Sequence, residues 1–441
     1  MRTMRARQVL ALLRAYESPN VTCIEPDGSW PIVWKRAKGV HVWDASGRKY
    51  LDLTAAFGVA AAGHANPRVV TAGQAQMDRL LHAMGDVHPH EQKAQLAREL
   101  SRLTFERWSR KASDIRRSSI SGKTILCNSG FEAVEAALKT ALLATRKPGV
   151  IAFGGAYHGL GYGALNATHR AYFRAPFIRQ LGGFAHFTPF PTNAETLELV
   201  ESEIRKLFRR KPFGAVLVEP VQVRGGINIP PARFLPMLRR LCDEHKSLLI
   251  LDEIYTGFGR TGQWFACEHW GTVPDLVCVG KALTGGFPLS ACVGRAELMD
   301  AAWPRSTGEA IHTSTFLGHP VGCAMALAQI KEIESKRLVA RSARLGTVLL
   351  SALQMLCRRS PMPGLQARGL GLLAGLEIPS LNRQSATAIA LQATKQMLRS
   401  GFILLPEGEH SNVLGFTPPL TISSQQLHAA VTKLSDVLRH M

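Results

Sequence analysis

Apolar positions along the 441-residue chain fall into two alternating patterns. Short continuous apolar runs, Thr124–Asn128, Val150–Phe153, Ala215–Glu219, Ser247–Asp252, Leu276–Gly280 and Leu289–Gly294, read as buried strands. Between them, stretches such as Glu132–Thr145 and Pro231–His245 place apolar residues at helical spacing. This alternation, sustained over roughly 200 residues, predicts an α/β fold with a mainly parallel sheet covered by helices. The ends differ. Gly39–Leu53 (GVHVWDASGRKYLDL) alternates around an Asp-x-x-Gly turn and predicts a small hairpin. Beyond about residue 320 the pattern turns helix-rich and closes with a strand-and-helix unit from about Leu365. The expected organisation is a large α/β domain over 67–322, flanked by a small α+β domain assembled from 1–66 and 323–441.

Composition narrows the classes. A hydrophobic share of 46% excludes a long disordered chain. Since no run of about 18 apolar residues occurs, a membrane-spanning helix is not expected. Eight cysteines (Cys23, Cys127, Cys242, Cys267, Cys278, Cys292, Cys323, Cys357) are scattered without a C-x-x-C pair. They read as buried free thiols in a reducing cytoplasm, and neither their spacing nor any other pattern suggests a metal site. Lys and Arg number 53 against 33 acids, a net +20. The basic runs Arg107–Arg117 and Arg205–Lys211 have few interleaved aromatics and read as solvated faces, so no nucleic-acid partner is expected. Arg2, Arg5, Arg7 and Arg14 with no acid before Glu17 suggest an amphipathic surface helix, too short and Ser-poor for a transit peptide.

Four positions at strand ends carry candidate chemistry. Ser129 and Glu132 have capping-box spacing at a glycine turn that opens a helix, where free backbone N–H groups and the helix dipole favour an anion. Asp252 ends an apolar strand, and a carboxylate there costs several kcal/mol unless it is compensated, roughly. Lys281 sits among small and apolar neighbours, and a desolvated amine loses proton affinity and becomes a nucleophile. Tyr157-His158-Gly159 places an aromatic within a glycine-rich stretch, suited to stacking on a planar ring. Each has a plainer structural reading when taken singly. Together they match the needs of a phosphorylated pyridine carrying an aldehyde. Two decoys fail. Gly122-Lys123-Thr124 lacks the leading Gly of a P-loop, because Arg117 stands there, and it precedes its strand. His90-Glu91 is followed by Ala94 where a zinc protease needs His.

Leu251–Gly262 (LDEIYTGFGRTG), Gly280-Lys281-Ala282-Leu283 with its following Gly-Gly, and Ser314–Gly322 (STFLGHPVG) resemble the class III, ornithine/GABA-type aminotransferases of fold type I. The resemblance runs from about Pro31 to the C-terminus. It implies pyridoxal 5′-phosphate (PLP) held as a Schiff base by Lys281, with Asp252 against the pyridinium nitrogen. The implied cofactor-binding set is Ser129, Gly130, Phe131, Tyr157, His158, Glu219, Asp252, Tyr255, Lys281, Ser314 and Thr315. Within it, Gly130 and Phe131 would give backbone N–H groups to the phosphate, Tyr157 would stack on the ring, and Tyr255 would lie near its 3′-oxygen. Thr315 would reach the phosphate across the interface of a homodimer. The implied reaction is ping-pong transfer of an amino group from an amine or amino acid to a keto-acid, with Lys281 as the proton carrier. An epimerase, mutase or decarboxylase would share the same cofactor residues. A colourless anion-binding protein is the competing class.

Two departures bear on substrate. After Glu219-Pro220 the family commonly has P-x-Q-G-E-G-G, whereas this chain reads Pro220-Val221-Gln222-Val223-Arg224-Gly225-Gly226. Before the final F-x-P-P-L many members have Arg, and here Gly415 precedes Phe416-Thr417-Pro418-Pro419-Leu420. Those Glu and Arg form a gate for α-carboxylates in the family. Arg224 is therefore a candidate substituted carboxylate clamp.

Overall fold

The computed structural model describes residues 5–111, 120–381 and 384–441. Arg2 and the 112–117 part of the basic run lie outside the described residues. In chain order the strands begin with β1 (Trp34–Lys38), β2 (His41–Asp44), β3 (Lys49–Asp52), β4 (Gly122–Cys127) and β5 (Gly149–Phe153). They continue with β6 (Ala185–Thr188), β7 (Phe213–Val218), β8 (Leu248–Asp252), β9 (Leu276–Val279) and β10 (Ser290–Arg295). The last are β11 (Gln366–Gly369), β12 (Ala374–Glu377), β13 (Phe402–Ile403), β14 (Leu405–Glu407) and β15 (Val413–Phe416).

The central sheet has the order β4-β10-β9-β8-β7-β5-β6. All neighbours pair in parallel except β10, which runs antiparallel to both β9 and β4. Every residue of β7 and of β8 is buried, as a strand covered on both faces requires. The helix Gly130–Thr145 lies on this sheet through Ala133, Val134, Ala136, Ala137 and Ala141. Its small side chains let helix and sheet approach closely, where a bulkier set would hold them apart. Burying each large side chain of this core contributes roughly 1.5–3 kcal/mol.

Sequence expectations for the central strands hold to within one or two residues, but β6 was not foreseen. Its four residues, AHFT, are short and only partly buried, so they carry no continuous apolar run. The GKT decoy lies inside β4, and His90 caps the helix Glu91–Leu103. The N-terminal helix Ala6–Tyr16 forms with a single buried residue, Leu10. Six of the cysteines are buried, Cys357 is half-buried, and Cys23 is exposed, contrary to the reading of all eight as buried.

Two smaller sheets flank the large one. β1-β2-β3 is an antiparallel meander whose β2–β3 pair is the expected hairpin, and β13 from the far end of the chain joins β3 in parallel. The second has the order β11-β12-β15-β14. Arg260 is fully buried and its Nη1 donates to the carbonyls of Leu372 and Pro418, at 2.9 and 2.6 Å, tying the loop after β8 to the C-terminal segment. Among the described residues no helix is long and apolar enough to cross a membrane.

Candidate active site

Strands β4, β5, β7, β8 and β9 all finish at one edge of the central sheet, and the residues just beyond them enclose a cavity of about 400 Å³. Asp252 supplies its acid. The carboxylate is 5% exposed, accepts from His158 Nδ1 at 2.8 Å through Oδ2, and accepts from the Ile254 N–H at 3.1 Å through Oδ1. His158 is oriented by its own backbone, whose N–H donates to Thr168 Oγ1 at 2.9 Å, and its Nε2 is buried without a partner.

Lys281 follows β9 on a single tight turn, Lys281–Leu283, and its φ is +31°. That conformation is disfavoured for a side chain with a Cβ and is a form of strain found at functional sites. Its Nζ lies 4.6 Å from the centroid of the Tyr255 ring and lines the same cavity as Asp252. Burial lowers the proton affinity of Lys281, while the charges of Asp252, Glu219 and Glu407 oppose that effect. Tyr255 meets Thr417 Oγ1 at 3.3 Å, and desolvation pushes its hydroxyl pKa up.

Gly130 and Phe131 line one side of the cavity, directly after the helix N-cap Ser129. Glu132 accepts from the backbone N–H of Asn128 at 2.7 Å and of Ser129 at 3.4 Å, completing its half of the capping box. Ser129 Oγ, by contrast, is buried with no hydrogen-bond partner. At Gly130 a Cβ would stand 3.1 Å from the Ile254 side chain, so the helix start sits as close as glycine permits to the loop after Asp252. An orphaned hydroxyl beside the opening N–H groups of a helix is the donor set a phosphate takes.

Glu219 is buried, with Oε1 accepting from the Tyr157 N–H at 3.0 Å and Oε2 from the Val223 N–H at 3.3 Å. Desolvation, helped by the charge of Asp252 and opposed by His158, raises its pKa to about 7. Tyr157 lines the cavity and packs edge-on against Phe173, with the Arg224 guanidinium 5.8 Å from its ring. Arg224 also lines the cavity, and its Nη1 donates to Glu407 Oε2 at 2.9 Å. Ser314 and Thr315 are exposed, and Ser314 Oγ accepts from Asn128 Nδ2 at 3.3 Å, one residue before Ser129.

The structure thus gathers ten of the twelve sequence-derived residues around one site and sets Ser314 and Thr315 at its flank. Three participants were missed. Ile254 lies within the LDEIYTG motif but reads there as an ordinary apolar residue. Gln222 donates through Nε2 to the Gly154 carbonyl at 2.7 Å and braces the loop that carries Arg224. Glu407 is 183 positions from Arg224, and no motif links the two.

The description "Aminotransferase class-III" matches residues 24–438. A 5-aminovalerate aminotransferase of Pseudomonas aeruginosa is 35% identical over 414 residues, covering 92% of this chain and 93% of that protein. A putrescine aminotransferase of Pectobacterium atrosepticum is 34% identical, covering 99% and 89%. An acetylornithine aminotransferase of Methanosarcina mazei is also 34% identical, covering 93% and 92%. Among solved structures, a thermostable (S)-enantioselective ω-transaminase from Thermomicrobium roseum superposes with a TM-score of 0.86 at 27% identity, covering 99% of this chain and all of that one. A PLP-bound amine transaminase from an uncultivated Pseudomonas species gives 0.85 at 26% identity, covering 96% and 98%. With its ends meeting around a mostly parallel sheet and a lysine and an acid on one cavity, this chain belongs to the class III aminotransferases.

Proposed function

We propose that this aminotransferase uses PLP in the cavity below Lys281 to move an amino group from a chain-terminal amine to a keto-acid. The observation that carries the reading is the placement of the buried Lys281 amine and the Asp252–His158 pair on a single cavity that is also lined by Gly130 and Phe131 at the start of a helix. The cofactor would supply an electrophilic aldehyde and a ring that accepts electron density.

The residues divide the remaining work. Ser129 Oγ and the N–H groups of Gly130 and Phe131 would hold the phosphate. Asp252, oriented by His158, would hold the ring nitrogen, and Tyr157 would pack on the ring. Tyr255 lies beside Lys281 and would meet the ring oxygen, and Glu219 keeps the Tyr157 loop in place through its two backbone hydrogen bonds. Lys281, free of any covalent role once the amine is bound, would take the proton from the substrate carbon and deliver it to the aldehyde-derived carbon of the cofactor, since burial favours its unprotonated amine. Arg224 receives the acceptor's carboxylate. The relatives named for 5-aminovalerate, putrescine and acetylornithine support an ω-amine as donor. The working unit is a homodimer in the cytoplasm, in which Ser314 and Thr315 of one subunit would reach the phosphate held by the other. The small domain comprises 1–66 and 323–441, and the large domain 67–322.

Borohydride reduction of the yellow holoenzyme followed by peptide mapping tests the covalent assignment. A pyridoxyl label on Lys281 is expected, and a label on any other lysine overturns it. Amine donors without acceptor convert the cofactor stoichiometrically to its pyridoxamine form. A spectrum that returns unchanged after the donor is consumed would exclude aminotransfer.

A further inference from the structure

Behind Arg224 lies a carboxylate with no role in the scheme above. Glu407 ends β14, its side chain is 5% exposed, and its only ion-pair partner among the described residues is Arg224. The Arg224 side chain is 29% exposed and lines the cavity. The two segments are held together independently of this pair, since the Gly408 N–H donates to the Arg224 carbonyl at 3.1 Å. Arg368 anchors the same loop from the other side through the carbonyls of Gly226 and Ile227. Glu407 also owes its space to Gly415. A Cβ at 415 would come within 3.2 Å of Glu407 Cγ. The acid, the glycine and the arginine therefore form one fitted arrangement beside Lys281 and Tyr255, both of which feel the charges of Arg224 and Glu407.

Building on the aminotransferase reading, we infer that Glu407 is a specificity-determining residue that binds the second ammonium group of a diamine donor, while its partner Arg224 binds the carboxylate of the acceptor. In the resting protein each neutralises the other. A diamine entering with one amine toward Lys281 presents its distal cation to Glu407, and Arg224 turns toward solvent. A keto-acid takes Arg224 instead, and Glu407 accommodates the loss of its partner by taking up a proton, which its burial favours. A monoamine of equal length satisfies neither group and must leave the ion pair intact. One pair of opposite charges thus serves two substrates of opposite charge in the two halves of the reaction, and no new bond is made or broken by it.

Half-reactions of the holoenzyme, followed by conversion of the cofactor absorbance, test this with 1,4-diaminobutane, 1-aminobutane and 2-oxoglutarate. Wild type is expected to prefer the diamine. Glu407→Gln lowers kcat/KM for the diamine relative to the monoamine by about 10- to 100-fold, the worth of one charge-assisted hydrogen bond, and spares 2-oxoglutarate. Arg224→Gln does the reverse, raising KM for 2-oxoglutarate by a similar factor and keeping the diamine preference. Calorimetric binding of glutarate to cofactor-free protein weakens in Arg224→Gln and not in Glu407→Gln. If Glu407→Gln does not fold, Glu407→Asp keeps the charge at shorter reach and retains a reduced preference. Parallel losses on all three substrates in both variants, or unchanged diamine preference in folded Glu407→Gln, overturn the gate alone. No amine-dependent conversion by wild type overturns the parent reading and the gate with it.

Discussion

Two buried aspartate–histidine pairs sit in this molecule and do different things. His64 Nε2 lies 2.7 Å from Asp52 Oδ2, and His158 Nδ1 lies 2.8 Å from Asp252 Oδ2. All four residues are buried. Asp52, however, is saturated. It also accepts from the Thr54 N–H and hydroxyl and from the Ala56 N–H, and so folds the chain into the turn Ala55–Gly58. Asp252 accepts one further bond, from Ile254, and faces the cavity, while His158 keeps an unpartnered Nε2. Identical chemistry becomes a clamp where every acceptor is filled and a site where capacity is left over.

The sharpest break in this comparison is expected at the cavity's own base. Lys281→Ala should reduce turnover by roughly 10³-fold or more and leave thermal stability near that of the wild type, because it removes the proposed nucleophile and proton carrier. A half-reaction that survives in this variant would sink the assignment. Next, Asp252→Asn should cost about 10²-fold or more in kcat while Asp52→Asn leaves kcat per folded molecule unchanged. Asp52→Asn should instead lower unfolding free energy by about 2–4 kcal/mol, since it strips a buried acceptor of several donors. Denaturant titration and steady-state rates separate the two outcomes, and equal effects on both would erase the distinction drawn here.

A smaller effect concerns pH. Glu219 is held protonated up to about pH 7 against an ordinary value of 4.5, by burial first. Its folded pKa is raised, so its contribution to stability is fully present below about pH 4.5 and is lost as pH rises through 7. Over that window the folded state binds more protons and stability falls, by at most about 1.4 kcal/mol per pH unit for this group. Glu407 titrates in the same direction for the same reason. Glu219→Gln should therefore flatten the decline in Tm between pH 4.5 and 7 without abolishing it, and an unchanged profile would show that the carboxyl is solvated. The mildest change is Gly58→Ala. Its Cβ would stand 2.9 Å from the Tyr255 ring at a φ of +82°, so a modest loss of stability and a shifted KM are expected in parallel.

The floor of the site was legible along the chain because each of its groups closes an apolar strand or opens a helix. Asp252 and Lys281 announce themselves as charges where burial is expensive, and Ser129-Gly130 as a turn at a helix start. β6 lacked that contrast, as did the antiparallel direction of β10, which depends on how a strand re-enters the sheet.

Local sequence determined the strands, their covered faces and the residues at their ends, since burial and backbone geometry act over a few neighbours. Tertiary structure alone decided which end groups keep spare hydrogen-bonding capacity and which are filled. It also decided that Arg224 meets Glu407 in the room left by Gly415. Charge pairing and close approach across 183 positions depend on where the chain returns in space, and that is a property of the folded packing.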